Sequence, residues 1–186
     1  MASERETNVR CSIEAADAFV EWYYNQINHS KPIAYGYVNG NSTFERAGHP
    51  PADICINGLV VATPQEWEKL LEQQRHRPQS LSLDKNAVHY VVEGYDVHVI
   101  NSDYRFAAPQ KMLDIHGPSD GVRMMMMLTV TGSVYFGANK KDNEDYTLKQ
   151  HFHDVFILVP NWEILEKPGA RYGRKYLIAS HNYRAF

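Results

Sequence analysis

From about Val9 to Asn28, apolar residues recur three or four apart at Ile13, Ala16, Val20, Tyr23 and Ile27, with Phe19 and Tyr24 widening the stripe. That spacing predicts an amphipathic helix with one buried side. It should stop near Asn28 to Lys31, because a proline, here Pro32, pushes the residue before it out of helical conformation. A short aromatic segment at Tyr35 and Tyr37 and a polar turn, Asn39-Gly40-Asn41, follow. In Asp53-Ile54-Cys55-Ile56-Asn57-Gly58-Leu59-Val60-Val61, two apolar runs flank Asn-Gly, a pair suited to the positive φ angles of a tight turn, so a β-hairpin is predicted. Thr63-Pro64-Gln65-Glu66 reads as a helix start: the Thr oxygen can take a free amide, Pro fits the first helical position and Glu66 can reach back. Trp67, Leu70 and Leu71 form that helix's apolar stripe, while Arg75, His76 and Arg77 suit its negative end before Pro78 closes it.

The remainder alternates with the period of strands. From Ala87 to Asn101, apolar residues fall on even positions (Val88, Tyr90, Val92) and then on odd ones (Tyr95, Val97, Val99). A phase slip of that kind predicts a bulge and a bend around Gly94. Residues 102–121, with Pro109, Pro118 and several Gly and Asp, form a loop longer than most connections. Strands are predicted from about Val122 to Phe136, Lys149 to Val159, and Lys175 to about Arg184. Helices first and a multi-strand antiparallel sheet afterwards indicate an α+β architecture with the helices on one face, and no repeat or linker divides residues 1–186, so one domain is expected.

Composition narrows the function classes. With 44% hydrophobic and 22% charged residues the chain has ordinary globular usage, and no run approaches the roughly eighteen apolar residues of a spanning helix. The polar start, Met1 to Arg10, does not read as a signal peptide, and Cys11 and Cys55 stand in no metal spacing, so a reducing compartment and no membrane association are expected. A formal charge of −3 gives no general attraction for phosphate, so any RNA role needs a partner.

On the last strands one parity reads as core: Met126, Leu128, Val130, Val134 and Phe136, then Phe152, Phe156 and Leu158. The opposite parity carries Met125, Met127, Thr129, Thr131, Ser133 and Tyr135, with His151, His153, Val155 and Ile157. A solvated sheet face ordinarily holds more Lys and Glu. Met, Tyr, Thr and β-branched residues with few charges suit the centre of a subunit interface. The alternatives are a helix or loop of the same chain covering that face, or a homodimer.

The order of elements and several local words resemble the nuclear transport factor 2-like superfamily and, within it, the small subunits of the mRNA export heterodimer. Ala15-Ala16-Asp17-Ala18-Phe19-Val20 with Tyr23-Tyr24 resembles the family's opening helix, and Asn57-Gly58 stands at its hairpin. Val130-Thr131-Gly132-Ser133-Val134-Tyr135-Phe136-Gly137 with Asn139-Lys140, then Phe152-His153 and Phe156-Ile157-Leu158, resemble the next strands. Ile178-Ala179-Ser180-His181-Asn182-Tyr183-Arg184 resembles the last one. The resemblance implies a cone-shaped fold whose exposed sheet face packs on the like domain of a larger export receptor, with Arg184 at the position that pairs with an acidic residue of that partner. It also implies contact with Phe-Gly nucleoporins mainly through the complex, RNA contact only indirectly or through the long loop, and residence at the nucleus and nuclear pore with shuttling to the cytoplasm. Asp154 departs from the family's usual Gln, the long loop points to a fungal-type subunit, and Lys140 and Lys141 interrupt the acidic tip by which the transport factor proper binds Ran-GDP.

The rival reading is a small enzyme of the same fold, a dehydratase or isomerase, with Tyr23 or Tyr24 facing Asp96 and His98 inside the cone. A hydrogen-bonded structural pair is the commoner explanation of Asp96 and His98. His151 and His153 share a strand face but are too few for a zinc site, and Asp142 with Asn143-Glu144-Asp145 reads as a solvated hairpin tip. No catalytic residue, metal or cofactor is expected.

Overall fold

The computed structural model describes residues 3–75, 88–136, 148–166 and 175–186. The first helix, α1 (Glu4–Asn28), starts earlier than its apolar period suggests. The reason is a capping box: Ser3 Oγ accepts from the Glu6 amide at 3.2 Å, and the Glu6 carboxylate accepts from the Ser3 amide at 2.7 Å. Its buried side is Ser12, Ala15, Ala16, Phe19, Val20, Tyr23, Tyr24 and Ile27. Ile13, expected in that stripe, is 48% exposed instead, because the small residues Ser12, Ala15 and Ala16 face inward at this end and Ile13 lies one position round the helix. At the other end the Asn28 side chain exchanges two hydrogen bonds with the Tyr90 backbone, 2.9 and 2.8 Å long, which fastens the helix to a strand edge.

A short 3₁₀ turn (Ala34–Gly36) and α2 (Ser42–Arg46) lead to the hairpin β1 (Asp53–Ile56) and β2 (Leu59–Val61). Its turn has φ of 51° at Asn57 and 85° at Gly58, as Asn-Gly predicts. Helix α3 (Pro64–Arg75) begins with Thr63 Oγ1 accepting from the Glu66 amide, while the Glu66 carboxylate reaches back to Ala62. Trp67 and Leu71 are buried and Leu70 partly so. His76, Arg77 and Pro78 lie outside the described residues.

Strand β3 (Val88–Asn101) carries the expected irregularity: its register against the next strand shifts between Val92 and Gly94, leaving Glu93 as the extra residue. The stretch 102–121, read as a loop, contains α4 (Gln110–Ile115), whose Met112 is buried. The stretch is tied down by Trp162 Nε1 donating to the Phe106 carbonyl at 2.9 Å and by Arg123 paired with Asp103 at 3.1 Å. Strands β4 (Met125–Phe136), β5 (Leu148–Pro160) and β6 (Tyr176–Ala185) follow, with the short α5 (Trp162–Leu165) between the last two.

Among the described residues, six strands form one open sheet in the order β2-β1-β6-β5-β4-β3. Four of its five pairings are antiparallel, as expected; β1 and β6 run parallel, so the sheet is mixed. The helices cover one face. There Phe19 of α1 meets Phe156 of β5 edge-on at 5.1 Å, and Trp67 of α3 lies 5.4 Å from Tyr183 of β6. Met126, Leu128, Val130, Val134, Phe152, Phe156 and Leu158 are all buried on this side, the parity read as core. No described helix is long and apolar enough to cross a membrane.

Candidate functional site

The other face of the same strands carries no described helix pairing with it. Register places its side chains in rows running across the strands. One row passes from His98 through Met127 and Ile157 to Ser180 and Asp53. The next runs Asp96, Thr129, Val155, Asn182, Cys55 and Val60, crossing the whole sheet. A third joins Thr131, His153 and Arg184. Met125 lies opposite Asn101, and Tyr135 opposite Lys149, whose ammonium sits 5.5 Å from the Tyr135 ring centre.

The residues singled out from sequence therefore do share one surface. Met125, Met127, Thr129, Tyr135, His153, Val155 and Ile157 are half-buried, and Thr131, His151 and Arg184 are exposed. The Arg184 guanidinium lies beside the hairpin turn, with Nη1 3.5 Å from where a side chain on Gly58 would begin. It has no carboxylate partner among the described residues. A shallow depression beside it is lined by Glu93, Thr131, His151, His153 and Phe186.

Besides Asp53, Cys55, Ser180 and Asn182 in its rows, two members of this surface with distinctive placements escaped the sequence reading. Glu93, the bulged residue, accepts a 2.5 Å hydrogen bond from Ser133 Oγ, which also lies 3.3 Å from His151 Nδ1. Ser133 is fully buried beneath them. The phase slip at Gly94 was the available signal, because a bulge must re-aim one side chain. Val60, 83% exposed at the sheet edge, is the other.

The residues of the enzymatic reading are not brought together. Asp96 and His98 pair at 3.1 Å on the open face, their side chains 74% and 66% exposed, whereas Tyr23 and Tyr24 are buried on the opposite side of the sheet. The carboxyl group that meets Tyr24 is that of Asp154, which accepts from the Tyr24 hydroxyl at 3.0 Å and lies 2.7 Å from His181 Nε2. His181 Nδ1 in turn contacts the Tyr37 hydroxyl at 2.9 Å, and Trp67 Nε1 donates to Tyr23 at 3.0 Å. With Nε2–H donating to Asp154, Nδ1 is left to accept from Tyr37, so each group in the chain has a partner. Burial first, then the neighbouring Asp154 and hydroxyls, pushes the Tyr23 and Tyr24 phenols well above the usual tyrosine range. Such groups hold their protons and serve the core. Among the described residues no group of three His, Cys, Asp or Glu is placed to hold a metal ion. The acidic segment 142–145 and Lys140 and Lys141 lie outside the described residues.

A bent, mixed sheet backed by helices on one side and open on the other defines the class of nuclear transport factor 2-like (NTF2-like) proteins. No protein-family model matches the chain, and no curated protein matches it. Solved structures do. "Sac3N peptide bound to Mex67:Mtr2" matches at 64% identity and TM-score 0.88, over 95% of this chain and 99% of that one. "Chaetomium thermophilum Mex67 NTF2-like domain complexed with Mtr2" matches at 63% and 0.87, and "Structure of Mtr2" at 61% and 0.86, each with the same coverage. The chain belongs to the Mtr2 family of NTF2-like proteins.

Proposed function

We propose that this chain is the non-catalytic small subunit of an mRNA export heterodimer, docking through its open sheet face onto the NTF2-like domain of a Mex67-type large subunit. The observation that carries the reading is the face itself: Met125, Met127, Val155 and Ile157 lie together at its centre, half-exposed and without a Lys or Glu among them. Apolar surface of this kind gains roughly 25 cal/mol per Å² when it leaves water, and depletion of charge is what marks interface centres. The relatives that share the sequence at 63–64% identity were solved with Mex67. Separation of Asp96 and His98 from Tyr23 and Tyr24 by the thickness of the sheet supports a binding role over catalysis.

Within this face Thr129, Thr131, Tyr135, His151 and His153 surround the apolar centre, and Arg184 acts at its margin as a two-pronged donor to a carboxylate of the large subunit. Contacts to Phe-Gly nucleoporins and to RNA come mainly through the complex, with the 102–121 segment as a further surface. Residence at the nucleus and nuclear pore, with shuttling to the cytoplasm, follows from that role.

The test is direct. Expressed alone, the chain self-associates or stays poorly soluble, and co-expression with a Mex67-type subunit restores it. Arg184→Glu, which sets two like charges face to face, weakens the heterodimer at least about a hundredfold while the thermal midpoint of the isolated chain is unchanged. An affinity equal to wild type sinks the Arg184 assignment.

A further inference from the structure

The row that crosses the sheet does not stop at β6. It continues through Cys55 of β1 to Val60 of β2, in unbroken register with Asn182, Val155 and Thr129. A single exposed valine is ordinary on a protein surface. Val60 is in a different position. It is 83% exposed, it follows Leu59 at 69% exposure, and both sit on an outermost strand. Outermost strands are usually guarded by charge, proline or cover, since their free backbone groups invite pairing. Leu59-Val60-Val61 has neither charge nor proline.

Arg184 supplies the second observation. Its guanidinium rests beside Gly58, the turn of this same hairpin, and the Asn57 side chain accepts from the Ala185 amide at 2.8 Å. The hairpin and the end of β6 thus form one ledge, so a carboxylate that reaches Arg184 arrives directly over it. Resting on the docking reading above, we infer that the large subunit's footprint extends past β6 onto the β1–β2 hairpin, with Val60 covered and Cys55 beneath the partner. The occupant is that NTF2-like domain and not a second copy of this chain, because the ledge is continuous with the Arg184 margin and with the apolar centre.

The molecule carries its own probe. Both cysteines are free thiols of intermediate exposure; Cys55 lies in the row and Cys11 on α1, against Gly121 on the helix side. Alkylation of the full chain is followed by mass spectrometry with and without the Chaetomium thermophilum Mex67 NTF2-like domain. The Cys55 rate falls at least about tenfold in the complex while the Cys11 rate holds, and Val60→Asp lowers affinity at least about tenfold with the melting temperature of the isolated chain unchanged. An Arg184-dependent complex in which Cys55 reacts at its free rate and Val60→Asp binds like wild type overturns this inference alone. Protection of Cys55 that the isolated chain reaches on concentration and that added large subunit does not increase assigns the hairpin to self-association and overturns it too. Failure to form any complex removes the docking reading and this one together.

Discussion

The two faces of the sheet are built from alternate residues of the same strands, yet they solve opposite problems. On the helix side large groups are packed against one another within the chain: the Phe156 ring stacks on His181 at 4.6 Å and meets Tyr23 edge-on at 4.9 Å, and Asp154 is held by Tyr24 and His181. On the open side the neighbours Val155 and Ile157 are only half covered and Arg184 has no carboxylate partner among the described residues. On the docking reading proposed above, a step of one residue along β5 therefore moves from folding energy to binding energy. The strand period of two is what makes the functions separable.

The largest test of that separation uses the tyrosines. Tyr23, Tyr24, Tyr37, Tyr90, Tyr176 and Tyr183 are all buried on the covered side, and burial, the leading cause in each case, raises their pKa above the ordinary value. A raised folded-state pKa stabilises the fold below the unfolded pKa of about 10, and that contribution is lost as pH climbs, because only the unfolded chain can then release its protons. Six such groups together remove about 5 kcal/mol by roughly pH 10.5. Of the twelve tyrosines, these six should therefore release their protons only in one step with the loss of circular dichroism. Phenolate absorbance from more than the other six in a still-folded protein would mean that the covered face is wet.

Second in size is a pair of adjacent truncations. Phe156→Ala should cost about 3–5 kcal/mol of stability by denaturant titration, since it opens a cavity among Phe19, Tyr23 and His181. Ile157→Ala, its neighbour on the open face, should cost less than about 1 kcal/mol of stability but about tenfold in affinity for the large subunit. Equal stability losses would erase the distinction between the faces.

How far this division can be read in advance differs by element. The α1 period, the Asn57-Gly58 turn, the slip at Gly94 and the two parities of β4 and β5 are all local signals, written within a few residues of where they act. The parallel pairing of β1 with β6 is not, because nothing local to residues 53–56 names residues 180–183 as their neighbours. Asp154 shows the same limit at a single position. Its place between Phe152 and Phe156 puts a carboxyl group on the core parity, which implies a buried partner. The partners, however, are Tyr24, 130 residues distant, and His181, and only the fold brings them there. Helix α4 was hidden because, after Pro109, the six residues Gln110–Ile115 make fewer than about two turns, too short a period to distinguish from a loop. On the open face the scarcity of charge along β4 and β5 is legible from the alternation alone. That the same row continues to Cys55 and Val60 is not, because it depends on the pairing of β1 with β6.

The smallest effect comes from the residue that fits neither side cleanly. Ser133 belongs by parity to the open face but is fully buried, because the bulge turns Glu93 over it and the two share a 2.5 Å hydrogen bond beside His151. Its side chain is thus enclosed within the chain, as on the covered face, while its neighbours Thr131 and Tyr135 keep part of their surface exposed. Ser133→Ala should cost about 1 kcal/mol of stability: the hydroxyl's hydrogen bond is lost, but Glu93 is exposed enough for water to replace it. Affinity for the large subunit should change less than about threefold, well below the effect of Ile157→Ala. Titration calorimetry with the wild-type partner reads this out. A loss as large as that of Ile157→Ala would place the Glu93–Ser133–His151 cluster within the docking energetics, and the boundary between the two functions would then run through β4 itself.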